Sequence, residues 1–310
     1  MIRKITTRFL FALATVLSIT GISFIMGNAP VSATDNPISL QISPTKQRVT
    51  LNPGDSYTGS FEVMNIGKES FSYSVDVSPY WVVDEKYAAK YDVRNNYTQI
   101  ADWITFDEST QGNTIDPGET QEVFFTVDVP YDVPAGGQYA TIFAQTDDGN
   151  ESDANLQVVN RVGMVFYAKV DGDTREEGKI ISNSVPGFTL SSPITAASLV
   201  ENTGNVEATA YYKFKVMPLF SDVPVFDNED GRKKADVLPG TKRANNFTWD
   251  SAPIIGIYRI EQTIDFLDEH SSVSKVVIIC PFWLLVVLAC LVIFVIYLIV
   301  KNKSRKSQSA

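Results

Sequence analysis

Residues Phe61–Pro79 read FEVMNIGKESFSYSVDVSP, and Ala197–Pro218 read ASLVENTGNVEATAYYKFKVMP. Each stretch gives a strand, an Asn-x-Gly turn and a longer alternating strand that ends in Pro. In the first, Phe71, Tyr73, Val75 and Val77 fall on one face. Period-two alternation of β-branched and aromatic residues predicts half-buried strands. The two stretches predict one structural unit used twice.

The parallel continues outward. Ile115–Val129 (IDPGETQEVFFTVDV) matches Val237–Ser251 (VLPGTKRANNFTWDS), and Ala135–Gln145 (AGGQYATIFAQ) matches Ile254–Phe266 (IIGIYRIEQTIDF). Tyr57, Phe61 and Val63 alternate likewise, with Gly59 between them. So do Val123, Phe125, Val127 and Val129, then Tyr212, Phe214 and Val216, then Tyr258, Ile260, Ile264 and Phe266. Asn-Pro-Gly, Asp-Pro-Gly and Leu-Pro-Gly turns at 52–54, 116–118 and 238–240 punctuate them. The expected fold is all-β: two tandem immunoglobulin-like β-sandwiches and one C-terminal transmembrane helix. Residues 34–170 form the first sandwich, 171–179 (DGDTREEGK) a charged linker and 180–275 the second. The one helical candidate between the chain ends is a short segment near Glu85–Tyr91.

Both ends of the chain are apolar. Arg3, Lys4 and Arg8 precede an apolar run at Phe9–Met26, and Val31-Ser32-Ala33 carries small residues at the −3 and −1 positions. That pattern predicts a signal peptide over residues 1–33, cleaved after Ala33; an uncleaved N-terminal anchor is the alternative. Val276–Val300 contains no charge, and Lys301, Lys303, Arg305 and Lys306 follow it. Its 25 residues make a helix of about 37 Å, enough to span a bilayer with some tilt. Trp283 and Tyr297 read as interfacial anchors, and the basic tail 301–310 is expected inside the cell. Residues 34–275 are then extracellular.

All 36 Asp and Glu and 19 of the 26 Lys and Arg lie in that ectodomain, giving it a charge of −17. Such a surface repels nucleic acid and anionic lipid. Both cysteines, Cys280 and Cys290, fall in the apolar run, so no disulfide is expected outside the cell. Disulfide-free surface domains favour a bacterial source.

Little chemistry is visible. The single histidine, His270, sits in DEHSSVSK and reads as a solvated juxtamembrane residue. With no second His and no exported Cys, zinc sites and His-based nucleophiles are not expected. Carboxylate pairs such as Asp84/Glu85 and Asp268/Glu269 read as solvated loops. Asp147–Asp153 and Asp227–Gly231 cluster oxygens suited to weak Ca²⁺ binding, without EF-hand spacing. No cofactor is expected. Tyr80, Trp81, Tyr87, Tyr91, Tyr97 and Trp103 lie between two predicted strands. They are either a binding surface, anchored by Trp81 and Trp103, or a satellite core over one end of the sandwich.

The stretch ISPTKQRVTLNPGDSYTGSFEVMNIGKESFSYSVDVSPY, with DVPAGGQYATIFAQ and NRVGMVFYAKV, resembles the first domain of the WxL-interacting surface proteins, the DUF916 family. The resemblance implies a peptidoglycan-binding sandwich, a second partner-binding sandwich, a membrane anchor and no catalytic residues. The expected function is a non-catalytic bacterial surface scaffold that engages cell wall, glycan or a surface protein. The alternatives are an accessory module of an exported glycan hydrolase and a membrane-tethered assembly chaperone that works by strand donation.

Overall fold

The computed structural model describes residues 38–107, 113–147, 159–221, 223–228 and 233–307, with side chains up to Ile299. The signal segment with Ala33, most of Asp147–Asp153, and the side chains of Lys301, Lys303, Arg305 and Lys306 lie outside the described residues.

The first sandwich holds β1 (Leu40–Ser43), β2 (Lys46–Leu51), β3 (Ser56–Asn65), β4 (Phe71–Pro79), β5 (Trp81–Val82), β6 (Ala89–Lys90), β7 (Ile104–Phe106), β8 (Thr114–Ile115), β9 (Thr120–Asp128), β10 (Gly136–Thr146) and β11 (Arg161–Val170). Its sheets run β1-β3-β9-β7 and β2-β11-β10-β4-β8, with β5-β6 a separate small hairpin. The second holds β12 (Gly178–Ser184), β13 (Phe188–Thr189), β14 (Ile194–Asn202), β15 (Ala208–Pro218), β16 (Phe226–Asp227), β17 (Lys233–Val237), β18 (Lys242–Trp249), β19 (Gly256–Phe266) and β20 (Glu269–Ile279). Its sheets run β12-β14-β18 and β13-β20-β19-β15-β16, with β17 also on β15. One α-helix among the described residues, α1 (Phe282–Ser307), follows.

The two pairing schemes share one core order, with β7 in the first copy and β16 in the second as additions. β1 and β12 are antiparallel to β3 and β14; β2 and β13 are parallel to the closing strands β11 and β20. The inferred duplication is therefore a duplication of topology. Its cause is visible at the two Asn-x-Gly turns. Asn65 and Asn202 are buried, and their side-chain amides donate to Glu69 O and Ile115 O (2.9 and 3.1 Å) and to Val206 O and Val237 O (2.7 and 2.8 Å). In each copy the glycine two residues on donates back to the Asn Oδ1 at 2.9 Å. In each copy the glycine of the Pro-Gly turn, Gly118 or Gly240, donates to the Asn carbonyl (2.8 and 2.9 Å). One buried amide thus ties two turns and an edge strand together, satisfying backbone groups that no ladder reaches.

The alternating strands bury the predicted faces. Phe61, Val63, Phe71, Tyr73, Val75, Val123, Phe125 and Val127 all lie in the first core. Gly59 interrupts its strand because the Phe125 ring packs over it; an added Cβ would meet the ring at 2.5 Å. The second sandwich has two clusters, one around Phe214, Trp249 and Ile260 and one around Tyr212, Ile264 and Phe266.

Three boundaries differ from expectation. Glu85–Tyr91 is not helical; it holds the β5-β6 hairpin region, in which Trp81 and Val82 pair with Lys90 and Ala89. The linker is shorter, since Gly178 already pairs with Asn202. The apolar run also divides. Val276–Ile279 complete β20, with Val277 and Ile279 buried in the sandwich core, and the helix begins only at Phe282. A second sandwich that repeats the first needs a closing strand, and these residues supply it. Cys280 is therefore a buried residue between strand and helix, and only Cys290 lies in the helix. His270 pairs at the opposite end of β20, about 30 Å along the strand from the helix, and is not juxtamembrane. Its Nδ1 lies 2.6 Å from Asp265 Oδ1.

Candidate functional site

The six aromatic residues singled out in the sequence divide between three places. Trp103 follows a 3-10 turn at Gln99–Asp102 and is 8% exposed in the core of the first sandwich. Tyr80, Trp81, Tyr87 and Tyr97 pack around a separate buried cluster of Val82, Tyr139, Tyr167 and Leu238. Tyr91 stands at its rim, 42% exposed, with its ring edge-on to Phe143 at 4.9 Å. Leu238 belongs to the second sandwich. The cluster is therefore a joint, in which these rings face one another and the second sandwich.

The joint is built from three strips. The first is the loop before β6. Tyr87 sits at φ +66° and places its hydroxyl against the Leu238–Thr241 turn. The Leu238 N–H donates to it at 2.5 Å, and it lies 2.8 Å from Thr241 Oγ1. Thr241 spends its own proton on Leu238 O at 2.7 Å, so Tyr87 is the donor to Thr241. The Arg243 guanidinium lies over the Tyr87 ring at 4.2 Å, and the Ala244 N–H donates to Glu85 O at 2.7 Å. Burial, which disfavours the phenolate, pushes the Tyr87 hydroxyl up to about 12.

The second strip is ionic. Lys46 and Arg48 project from β2 onto Asp236 of β17; Arg48 meets it at 2.7 Å and Glu207 at 3.5 Å. Thr209 donates to Asp236 at 2.7 Å, and Tyr139 donates to Glu207 at 2.9 Å. Burial raises the Asp236 carboxyl, but the hydrogen bonds from Lys46 and Thr209 and the charges of Lys46 and Arg48 outweigh it and hold it below its ordinary value. Both cations also approach the face of the Tyr167 ring, at 5.0 and 5.2 Å. Tyr167 is shifted well upward, first by burial and then by the neighbouring Tyr80 and Asp236.

The third strip centres on Asn205, in the β14–β15 turn. Its carbonyl accepts from Gly137 N at 2.7 Å, and its side chain donates to Ala135 O and Asp173 O and accepts from Arg175 N at 2.6 Å. The linker between the sandwiches is thus pinned at both sides. Gly136 at φ +133° allows the approach; an added Cβ there would meet Asn205 O at 2.6 Å.

Sequence reasoning singled out the aromatic strip but not Lys46, Arg48, Glu207, Asp236 or Asn205. One signal was available. Paired glycines at a strand start mark a close backbone approach, and Gly136-Gly137 are where the second sandwich arrives. Among the described residues no group of three or more His, Cys, Asp or Glu is placed to hold a metal ion. Trp283 and Tyr297 are exposed on α1, near its two apolar ends, and the 18 residues Phe282–Ile299 are long and apolar enough to cross a membrane.

No family model and no curated protein matches the chain. Among solved structures it is similar to the class 5 fimbriae chaperone CfaA, with 11% identity over 77% of this chain and 98% of that chain and a TM-score of 0.37. It is similar to the E. coli chaperone DraB, with 11% identity over 77% and 97% and a TM-score of 0.36. It is also similar to the CsuC–CsuE chaperone–tip adhesion subunit pre-assembly complex of Acinetobacter baumannii, with 13% identity over 76% and 98% and a TM-score of 0.35. At such identities and TM-scores no partner or activity follows from the likeness.

Proposed function

We propose that the chain is a non-catalytic surface scaffold, anchored by α1 with its basic tail inside the cell, whose two sandwiches act as one stiff arm. The observation that carries this reading is the joint. Its aromatic cluster, its half-buried carboxylate bridged by two cations and its pinned linker hold the sandwiches at a fixed relation. A domain pair that must open and close needs a hinge free of such ties. A stiff arm suits holding a partner at a set position over the membrane.

The arm takes its partner polypeptide by strand addition at β2. This six-residue strand pairs with β11 on one side, and among the described residues no strand pairs with its other side. Unpaired backbone groups on an edge accept a further strand, and the side chains on either face then select it. The resemblance to WxL-interacting proteins offers peptidoglycan as the competing ligand. A photo-crosslinking residue at Thr50 on β2, in living cells, separates the two, with Tyr131 as an exposed control. Protein adducts at Thr50 and not at Tyr131 support strand addition. Adducts to cell-wall fragments, or equal labelling at both positions, refute it.

A further inference from the structure

The end of the second sandwich remote from the joint has an unusual surface. Strand registers place Pro218 opposite Tyr258, Gly256 opposite Ile279, Thr189 opposite Ile279 and Ile194 opposite Trp249. The loop residues 188–192, 219–221, 223–225 and 250–255 therefore meet at the end from which the chain enters α1. Between β20 and α1 stand only Cys280 and Pro281, and the Cys280 N–H donates to Thr189 O at 3.0 Å. These loops carry exposed apolar side chains: Phe220 (93% exposed), Val223, Ile254 (68%), Ile255, Phe188 and Leu190. Residues 186–193, 218–226, 250–256 and 280–281 contain no Lys, Arg, Glu or His and only two Asp, in a chain whose net charge is −10.

The start of the helix fixes what this end meets. With Val276–Ile279 used in β20, the apolar helical segment is Phe282–Val300, which spans about 28 Å. That is about the ~30 Å thickness of a hydrocarbon core, so no apolar slack remains to hold the sandwich away from the lipid. An apolar rim two residues from a membrane-crossing helix lies at the headgroup level, where exposed Phe, Ile, Leu and Val are stabilised and an acidic surface is not.

We infer that the loops bearing Phe220, Ile254 and Leu190 dip into the outer interface of the bilayer, so that the second sandwich sits on the membrane and sets the tilt of the whole arm. This inference rests on the membrane-anchored reading above. The occupant is lipid, through its glycerol and upper acyl region; the end carries no cation to select an anionic headgroup.

The test uses the full-length chain in phosphatidylcholine vesicles. Cys280 and Cys290 are replaced by Ala, and single cysteines are placed at Phe220, at Ile254, at Tyr131 in the first sandwich and at Leu291 in the helix. Each is labelled with an environment-sensitive fluorophore; lipids with a nitroxide near the headgroup end of the acyl chain are titrated in for positions 131, 220 and 254, and lipids with a nitroxide near the methyl end for position 291, which lies at the middle of the helix. The expected result is blue-shifted emission and loss of most of it on nitroxide addition at 220 and 254, strong quenching at 291 and none at 131. Quenching at 291 with none at 220 and 254 overturns the inference and leaves the anchor intact. No quenching at 291 overturns both. A blue shift at 220 and 254 without nitroxide quenching also overturns it, since a protein then covers the rim. Two rim positions guard against one label disturbing its loop, and circular dichroism of each variant checks that the β fold is kept.

Discussion

Replacing Tyr87 with Phe removes one oxygen from the joint and leaves the ring, its contact with Arg243 and the local backbone in place. The oxygen has two partners. It accepts from the N–H of Leu238, a residue with no exposed surface, and it donates to Thr241 Oγ1. Orphaning a buried donor costs about 1–3 kcal/mol, and losing the weaker bond to Thr241, which keeps its own acceptor at Leu238 O, adds about 0.5–1 kcal/mol. The expected loss is about 1.5–4 kcal/mol, located between the sandwiches rather than within either. Urea unfolding of the full chain in detergent should therefore separate into two transitions, the later one close to that of the parent. Hydrogen exchange at the Leu238 amide should rise, and exchange at Ile142 in the first core should not. A cost below about 0.5 kcal/mol with unchanged Leu238 exchange would refute the reasoning, because the hydroxyl would then hold nothing.

Three further outcomes follow from the same contacts. Asn65→Ala and Asn202→Ala each orphan two carbonyls and a glycine N–H, so each should cost about 3–5 kcal/mol in denaturant melts, and a cost in only one copy would break the equivalence of the turns. Trp103→Ala, in the core, should cost about 3–5 kcal/mol, whereas Tyr91→Ala at the rim should cost under about 1 kcal/mol; the reverse order in thermal melts would show the ring placements to be wrong. The Asp236 carboxyl is held below its ordinary value in the folded chain, so its contribution is complete above pH about 4, the unfolded value, and is lost as pH falls through the folded one. The opening free energy at the Leu238 amide, taken from exchange corrected for the intrinsic rate at each pH, should stay flat from pH 7 to about pH 4 and fall below it; Asp236→Asn should remove that fall, and a fall that persists in the variant would assign it to another group.

The strands and the duplication were legible because period-two alternation and Asn-x-Gly and Pro-Gly turns are local signals, and both copies carry them in one order. The placement of residues 276–279 was not. Apolarity describes a membrane helix and a closing strand equally well, and only the count of strands in the first copy argues for the strand. The aromatic segment had the same ambiguity. Tyr and Trp at 80–103 announce apolar packing without saying whether a ligand or a second domain supplies the other side. The ionic strip left no local trace, since Lys46 and Asp236 are 190 residues apart and each reads alone as a solvated charge. The Asn205 hub was likewise hidden, because its partners at Ala135, Gly137 and Asp173 are backbone groups.

The stiff arm is tested most directly by the distance between the sandwiches. Spin labels at Thr120→Cys on β9 and Thr195→Cys on β14, in the chain with Cys280→Ala and Cys290→Ala, report it by pulsed electron resonance in vesicles. A fixed joint predicts one narrow distance distribution that broadens in the Tyr87→Phe, Asp236→Asn double variant. A broad or multiple distribution in the parent chain, unchanged by those substitutions, would mean that the two sandwiches move freely about the 171–177 segment and would contradict the account.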